Sequence, residues 1–347
     1  MREKAIRVGL IGAGTIGRVH AMNIAGIREV ELVAVADPVQ LAANKIAAEV
    51  GIPNVFDDYQ SLLKDERITC VLICSPPITH AMIVEEAANK GKHIFCEKPL
   101  ALSLDEADKA LASVEKAGVK LQVGYNRRFD PSFRRARELL QHGVIGNLHL
   151  VRITSRDPDI PNVEYLRTCG GLFFDTTSHD FDMMRYLTAD EAEEIFAVGG
   201  ELIDPKLREL GDIDTAVVLL RLRSGAFGIV ENSRRAVYGY DQRVELFGSG
   251  GMIEVMNHLC DQTVLSNKDG RHLARNKWFF QERYRESFVN EIFSFFACIK
   301  EDKEPEVTGF DGRMAIAMAV AAKRSLIEHR PVSLTEVLGK VSKRRPE

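Results

Sequence analysis

The sequence predicts an α/β Rossmann domain followed by an α+β domain with a large open, mostly antiparallel sheet. In the first 125 of the 347 residues, short apolar runs alternate with helical patterns, which is typical of a parallel sheet covered on both faces. Beyond that point several apolar runs follow one another with only turns between them, which favours antiparallel pairing. We therefore expect two domains, at residues 1–125 and 126–347.

The elements of the first domain are predicted from the apolar runs and from the residues that end them. Helices are expected to close at Gly51 and Gly91, because glycine readily takes the left-handed conformation that ends a helix, and Ser103 is expected to cap another. The expected strands cover residues 6–11, 31–36, 70–74, 93–96 and 121–124. The expected helices cover residues 15–26, 40–50, 79–90 and 104–117.

The second domain is predicted to open with a helix at 131–141 and a strand at 148–154. An irregular stretch leads to a helix at 170–188, after which strands follow in series, separated by turns such as Ser224-Gly225. These strands are expected at 214–223, 226–235, 242–247, 252–256 and 263–266. Two helices, at 281–300 and 310–328, are predicted to close the chain.

Composition argues against several classes of protein. The hydrophobic content of 45% and the charged content of 28% are ordinary for a globular protein, and a net charge of −4 provides no bulk attraction for nucleic acid. No apolar run reaches the length of about 18 residues that a membrane span needs. From the charge and the short apolar runs we expect no nucleic-acid or membrane partner. The six cysteines show neither a Cys-x-x-Cys pair nor zinc-ligand spacing, so we expect a reducing, cytoplasmic compartment.

A glycine-rich loop, Gly12-Ala13-Gly14-Thr15-Ile16-Gly17, follows the first predicted strand and opens the first helix. In a dinucleotide site Gly12 would permit the tight turn, Gly14 would let pyrophosphate approach the backbone, and Gly17 would let helix and strand pack closely. Free N–H groups at the helix start, from Thr15 and Ile16, would face the phosphates. A merely tight turn is the alternative, and the strand–loop–helix context favours the dinucleotide site.

Asp37 ends the second predicted strand, 20 residues after Gly17, where dinucleotide-binding folds carry the acidic residue that binds ribose. A carboxylate there accepts hydrogen bonds from both ribose hydroxyls of NAD, but it repels the 2′-phosphate of NADP. The following residues, Pro38-Val39-Gln40, offer no cation to relieve that repulsion. The sequence therefore predicts NAD as the cofactor, in preference to NADP.

Unusual residues stand at two further strand ends, the edge where open parallel sheets bind their ligands. The segments are Ser75-Pro76-Pro77-Ile78-Thr79-His80 and Cys96-Glu97-Lys98-Pro99. Pro99 biases Lys98 towards an extended conformation, from which the ammonium can point into a cleft. We expect Ser75, Pro76, His80, Glu97 and Lys98 to border the cofactor. Two alternatives stay open: Lys98 as a surface residue beside a turn, and His80 as a residue that only caps or packs at a helix start.

A carboxylate and an imidazole occur four residues apart at Asp175 and His179, after a Gly-Gly turn. On one helix this spacing places both side chains on the same face, where they can form a proton-transfer pair. An N-cap with a satisfied surface pair is the plainer alternative. A metal site is less favoured, because no further cluster of ligands accompanies the two residues, and no metal is predicted.

Taken together, Gly12-x-Gly14-x-x-Gly17, Glu97-Lys98-Pro99 and Asp175-x-x-x-His179 resemble the glucose–fructose oxidoreductase / inositol dehydrogenase / rhizopine catabolism (Gfo/Idh/MocA) family. The resemblance covers nearly the whole chain, includes residues 126–130, 155–158 and 238–243, and is greatest to the inositol 2-dehydrogenases. It implies an NAD-binding first domain and a second domain for substrate binding and oligomerisation. It also implies NAD-dependent oxidation of a secondary hydroxyl of a cyclic polyol or sugar to a ketone, with a myo-inositol-like ring expected, in a homo-oligomer that is a tetramer or a dimer.

By the same resemblance, Lys98, Asp175 and His179 are catalytic, and the substrate is bound with help from Arg127, Ser155, Asp157 and Tyr240. A histidine, whose ordinary pKa is about 6.5, suits the role of proton acceptor at neutral pH.

The chain departs from some inositol dehydrogenases at Ser155 and Asp157, where those carry His and Asn. Another pyranose or anhydrosugar dehydrogenase is therefore an alternative, and a non-enzymatic sugar or NAD sensor is a second one.

Overall fold

Residues 6–339 are described by the computed structural model, and they divide between two units, each built around its own sheet. Among the described residues, the first unit comprises 6–130 together with Thr168–Gly170 and Tyr284–Ile316. The second comprises Pro131–Arg167, Gly171–Arg283 and residues 317–339. No helix within residues 6–339 is long and apolar enough to cross a membrane.

The strands of both sheets are numbered in chain order. They are β1 (Ile6–Ile11), β2 (Val30–Ala36), β3 (Asn54–Phe56), β4 (Cys70–Ile73), β5 (His93–Glu97), β6 (Leu121–Gly124), β7 (Leu148–Arg156), β8 (Ala192–Gly200), β9 (Thr215–Leu222), β10 (Phe227–Ser233), β11 (Asp241–Gly248), β12 (Gly251–Val255), β13 (Val264–Asn267), β14 (Gly270–Leu273) and β15 (Val332–Ser333).

The helices are numbered in the same way. They are α1 (Thr15–Ala25), α2 (Gln40–Val50), α3 (Tyr59–Leu63), α4 (His80–Asn89), α5 (Leu104–Ala117), α6 (Pro131–Gln141), α7 (Val163–Leu166), α8 (Leu172–Asp175), α9 (Thr177–Thr188), α10 (Phe280–Arg283), α11 (Arg285–Glu301), α12 (Gly309–Glu328) and α13 (Leu334–Leu338). Short 3₁₀ helices cover Pro77–Thr79, Asn126–Phe129 and Pro205–Leu210.

The first sheet is parallel, with the strand order β3-β2-β1-β4-β5-β6. Its direction of growth reverses between β1 and β4, and the carboxyl ends of two such strands are where doubly wound folds bind their ligands. The β4 and β6 residues are buried throughout, as a sheet covered on both faces requires. This parallel sheet, with the sheet of the second unit, confirms the predicted fold class.

Helix α11, which comes late in the chain, packs within the core of the first unit. Ile292, Phe295 and Phe296 belong to the same buried apolar cluster as Leu10 of β1 and Phe95 of β5. The Phe95 and Phe295 rings meet edge to face, with centroids 5.8 Å apart. The first unit therefore depends on a segment that lies more than 150 residues beyond its last strand.

The second sheet has the order β12-β11-β7-β10-β9-β8-β15, and all neighbours pair antiparallel except β7 and β10, which are parallel. Along β9, buried residues alternate with exposed ones, so one face of the sheet lies against the core. The outer face carries apolar side chains that are all more than a third exposed: Val198, Val217, Leu219, Phe227, Phe247 and Met252.

The predicted single helix over 170–188 is wrong in one respect. The structure has two helices there, α8 and α9, with Thr176 between them. The His179 N–H group donates to Thr176 O at 3.3 Å, and the Ser178 hydroxyl lies 3.5 Å from Asp175 O. Asp175 thus ends one helix and His179 lies in the first turn of the next, so the two residues are not one turn apart on a continuous helix.

Candidate active site

The glycine-rich loop after β1 is closed by two backbone contacts that only glycine allows. Gly12 has a φ of +100°, and a Cβ on it would lie 2.5 Å from the carbonyl of Cys74, at the end of β4. A Cβ on Gly17 would lie 2.1 Å from Gly12 O. The close approach that Gly17 permits is therefore mainly to the loop itself, and the Cys74 side chain is its next neighbour, at 3.6 Å.

Gly14 differs from both, because nothing lies within 4 Å of where its Cβ would be. It stands at the N-cap of α1, has ordinary extended backbone angles, and no side chain caps the helix. The first turn, which contains Thr15, Ile16 and Gly17, carries no acidic residue. An uncapped helix N-terminus beside open space on a glycine suits the pyrophosphate of a dinucleotide, which binds to free N–H groups and to the positive end of the helix dipole.

Asp37 is held beside this loop by two backbone N–H groups. Ala13 N–H donates to Asp37 Oδ2 and Val39 N–H donates to Oδ1, both at 2.7 Å. Each carboxylate oxygen has a further lone pair that can accept a ribose hydroxyl. The side-chain amide of Gln40 donates to the Asp37 and Phe56 carbonyls, so it is occupied with the backbone. The residues present therefore fit NAD.

The buried His80 side chain contacts the segments that follow two strands, at Ser75 after β4 and at Pro99 after β5. It is buried, with Nδ1 2.7 Å from Pro99 O and Nε2 2.8 Å from Ser75 O. Burial lowers the pKa of His80, and the two carbonyl oxygens oppose that shift by favouring the protonated ring. The Ser75 hydroxyl lies 2.7 Å from the Thr79 hydroxyl, next to Pro76. The structure thus gives the His80 side chain the packing role that the sequence left open.

The Glu97-Lys98-Pro99 turn has its carboxylate inside and its lysine at the edge. Glu97 is buried, with Oε1 2.6 Å from His20 Nε2 of α1, while Oε2 accepts the Lys98 N–H at 3.3 Å. The Lys98 side chain is half-buried. Arg127, also in the first unit, is buried in the 3₁₀ helix that follows β6, and its guanidinium lies over the Tyr284 ring at 5.7 Å.

In the second unit, Asp175 is anchored by residues that the sequence did not indicate. The Tyr165 hydroxyl donates to Asp175 Oδ1 at 2.6 Å, and Arg234 Nη1 donates to Oδ2 at 3.0 Å. Arg234 is fully buried, and its Nη2 also donates to Asp212 at 3.4 Å. One guanidinium thus lies between two buried carboxylates and donates a charged hydrogen bond to each of them.

Asp212 fixes the start of the helix that carries Asp175. Its Oδ1 accepts the N–H groups of Leu172 and Ile213, both at 2.8 Å. Gly171, at a φ of +88°, precedes Leu172, and a Cβ on it would lie 2.8 Å from the same oxygen. The glycine turn that precedes the Asp/His pair therefore makes room for the Asp212 carboxylate, which binds the start of α8 and the guanidinium that contacts Asp175.

His179 is the accessible side chain of this region: every other residue from 172 to 187 is buried, and His179 is half-buried. Its neighbours Ser178 and Asp180 face the interior. An imidazole that reaches the surface from an otherwise buried helix can exchange a proton with a bound molecule, whereas a satisfied core histidine cannot.

The predicted substrate contacts lie in different surroundings. Asp157 is half-buried, and Tyr240 is buried with its ring edge-on to Phe279 at 5.7 Å. Ser155 is fully buried, and its hydroxyl donates to Asp180. Asp180 in turn accepts from Asn232 at 2.7 Å. The Ser155 hydroxyl thus belongs to an internal network with Asp180 and Asn232, and its predicted contact with substrate stays a prediction.

Two protein-family models match this chain. The model described as an oxidoreductase family with an NAD-binding Rossmann fold matches residues 6–125, and the one described as the GFO/IDH/MocA C-terminal domain matches residues 133–254. The predictions of an oxidoreductase and of NAD as its cofactor are thereby confirmed.

Similar proteins match over nearly the whole chain. A myo-inositol 2-dehydrogenase of Thermotoga maritima is 44% identical over 96% of this chain and 100% of its own length. An inositol 2-dehydrogenase of Rhizobium meliloti is 43% identical over 95% of this chain and 99% of its own. The solved structure of a scyllo-inositol dehydrogenase from Lactobacillus casei, with bound NAD(H) and scyllo-inositol, superposes with a TM-score of 0.90 at 29% identity, covering 96% of this chain and 100% of that one.

Substitution of Gly14 separates folding from cofactor binding. Gly14→Ala adds a methyl group where the protein leaves open space, so we expect an unchanged melting temperature and NAD affinity reduced about tenfold or more, since one lost or obstructed charged hydrogen bond costs about 1.5–3 kcal/mol. Calorimetric titration of NAD measures the affinity. Gly17→Ala is the contrasting variant, which should lose stability because its methyl group meets Gly12 O. Full NAD affinity in Gly14→Ala would contradict the assigned position of the pyrophosphate.

Removal of the Arg234 guanidinium should be strongly destabilising. Arg234→Met leaves Asp175 and Asp212 buried without compensation, which lowers the free energy of unfolding by about 3–5 kcal/mol. The adjacent Arg235 is the matched control, because its ion pair with Asp159 is exposed and Arg235→Met should cost at most about 1 kcal/mol. Urea denaturation measures both. Equal losses of unfolding free energy in the two variants would contradict the larger contribution expected of the buried network.

Proposed function

This chain belongs to the Gfo/Idh/MocA family of oxidoreductases, and from that premise we propose that it is an inositol 2-dehydrogenase, which oxidises one secondary hydroxyl of myo-inositol to the ketone with NAD. The observation that carries the proposal is the anchored Asp175 carboxylate followed by the accessible His179. The myo-inositol 2-dehydrogenase of Thermotoga maritima, 44% identical over nearly the whole of both chains, supports the choice of substrate.

Oxidation of a secondary alcohol removes a proton from oxygen and a hydride from carbon. NAD, when bound, supplies the hydride acceptor. In the proposed mechanism the His179 imidazole takes the hydroxyl proton, and the Lys98 ammonium donates a hydrogen bond to the oxygen on which negative charge develops. Asp175 favours the imidazolium that His179 becomes, because Arg234 and Tyr165 keep its carboxylate ionised and in place.

Recognition of the ring is proposed to use Arg127, Asp157 and Tyr240. These offer a cationic donor, an anionic acceptor and a phenol, which together can bind several hydroxyls of a polyol. Ser155 is proposed to act indirectly, through its hydrogen bond to Asp180, the residue that follows His179. The cofactor contacts proposed are Gly12, Gly14, Thr15, Ile16, Gly17, Asp37, Ser75 and Pro76, with His80 and Glu97 supporting them from the interior.

The outer face of the second sheet is proposed to pair with a second copy of this chain, in a dimer or tetramer. Its six exposed apolar side chains form the kind of patch that subunit interfaces cover. Light scattering on the purified protein tests this, and a monomer at micromolar concentration would exclude it. A reducing, cytoplasmic location is proposed as well, because all six cysteines are free thiols and five of them are buried.

The experiment that tests the function is a substrate panel followed by the absorbance of reduced nicotinamide. We expect turnover of myo-inositol with NAD, and much less with NADP because of Asp37. Scyllo-inositol, glucose and an anhydrosugar complete the panel. Preference for either of the last two would replace the inositol assignment with another sugar dehydrogenase, and NAD binding without any turnover would favour a sensor.

Lys98→Met should lower kcat about 10²–10³-fold, as the loss of a donor to a developing oxyanion does, while NAD affinity changes little. Lys109→Met is the matched control, because Lys109 is an exposed residue of α5, and it should keep wild-type kcat. A kcat in Lys98→Met equal to that of the control would remove Lys98 from the mechanism.

A further inference from the structure

Glu291 of α11 is a buried acid without an apparent use. Its side chain is fully buried in the first unit, and neither carboxylate oxygen has a hydrogen-bond partner. Buried polar groups almost always have such partners, and an isolated buried carboxylate is so costly that the group takes up a proton instead. The burial of the Glu291 carboxyl group without a hydrogen-bond partner therefore requires a physical explanation.

Two other ionisable side chains face Glu291. His20 comes from α1 and Glu97 from β5. One ring nitrogen of His20 and one carboxylate oxygen of each glutamate all lie within 4.8 Å of one another. Their surroundings are apolar, since the His20 ring meets Phe95 and Phe288 edge to face at 5.1 and 5.9 Å. At most one positive charge, on His20, is available there for two carboxylates.

The remaining ionisable groups nearby do not supply a second cation. Burial raises the pKa of the Cys74 and Cys96 thiols, and Glu97 raises both further, so these thiols stay neutral. On the 3₁₀ helix that packs against α11, Arg128 pairs with Asp311 at 2.9 Å and Arg127 lies over Tyr284. An ionised Glu291 would therefore leave a net negative charge in the apolar core.

A metal ion is the other way to compensate two carboxylates, and the geometry argues against it. His20 Nε2 and Glu97 Oε1 are 2.6 Å apart, which is a hydrogen-bond distance. Two tetrahedral ligands of one ion, each bound at about 2.0–2.1 Å, lie roughly 3.3 Å from each other. The two atoms share a proton in this arrangement, and they do not share a metal.

We propose that Glu291 is a carboxylic acid that keeps its proton at neutral pH, and that its neutrality leaves His20 to Glu97 alone, which fixes the Glu97-Lys98-Pro99 turn. Burial, followed by the charge of Glu97, raises the pKa of Glu291 well above its usual range. Glu97 is the link to the site, because its second oxygen accepts the Lys98 N–H. Glu291 is thus a positioning residue for Lys98, a part of the inference that rests on the proposed function.

The stability of the protein against pH tests the proton on Glu291. In the unfolded chain a glutamate ionises near pH 4.3, whereas folded Glu291 keeps its proton, so wild-type stability falls as pH rises from there towards the folded pKa. Glu291→Gln mimics the neutral acid and lacks this loss. As pH rises, the ratio of its unfolding equilibrium constant to that of the wild type should fall, by up to about tenfold per pH unit.

Glu286→Gln is the matched control, since Glu286 is an exposed residue of the same helix. We expect it to follow the wild-type curve. The proposal is overturned if Glu291→Gln is the less stable protein by a margin that grows with pH, as the loss of an ionised partner requires. Stoichiometric metal in the purified wild type, absent from Glu291→Gln, would equally overturn it.

The link to Lys98 has a separate readout. Ionisation of Glu291 at high pH should loosen the turn, so the alkaline fall in wild-type kcat should move to higher pH in Glu291→Gln. An unmoved alkaline limb alongside the expected stability curves would overturn the positioning role but leave the neutral acid. Absence of turnover in both proteins would count against the proposed function, and the stability curves would still report on Glu291.

Discussion

The need to compensate buried charge governs both halves of the reactive machinery. In the proposed mechanism the Asp175 carboxylate must stay ionised. An ionised group below the surface needs a partner of opposite charge and several hydrogen-bond donors. Arg234 meets this need but is itself fully buried, so it requires Asp212 on its other side. Asp212 then sets the helix start at Leu172 and excludes a side chain at Gly171. The proposed catalytic carboxylate of Asp175 is thus connected, through Arg234 and Asp212, to the local backbone before it.

Local spacing was enough to predict the Rossmann fold of the first unit and NAD as its cofactor. The glycine loop and Asp37 act through backbone geometry within one βαβ unit, so their roles are written in consecutive residues. Gly12 and Gly17 are required by the protein's own close contacts, whereas Gly14 is required by none of them. That difference agrees with the separate roles that the motif predicts for the three glycines, and the ligand contact of Gly14 stays a prediction.

The substrate half was less predictable, because its partners come together only in the tertiary fold. Arg234 lies 59 residues after Asp175, with no spacing rule to connect them. The break at Thr176 has no local signal, because residues 175–180 include neither the glycine nor the proline that usually marks a helix end. Strand β8 was missed because two glutamates and two glycines interrupt its alternation, and α11 contributes to the first unit because of a packing face that its sequence does not assign to any partner.

The single accessible residue in the buried run from 172 to 187 has an evolutionary consequence. Helices whose other side chains all pack against the interior tolerate few substitutions, so the surroundings of His179, the proposed proton acceptor, are constrained. If the proposed function holds, changes of sugar specificity are then expected elsewhere, at partly accessible positions such as Asp157. Such an arrangement would let one reaction be kept while its substrates diversify, and laboratory evolution of new polyol oxidations should begin at those positions and leave α8 and α9 untouched.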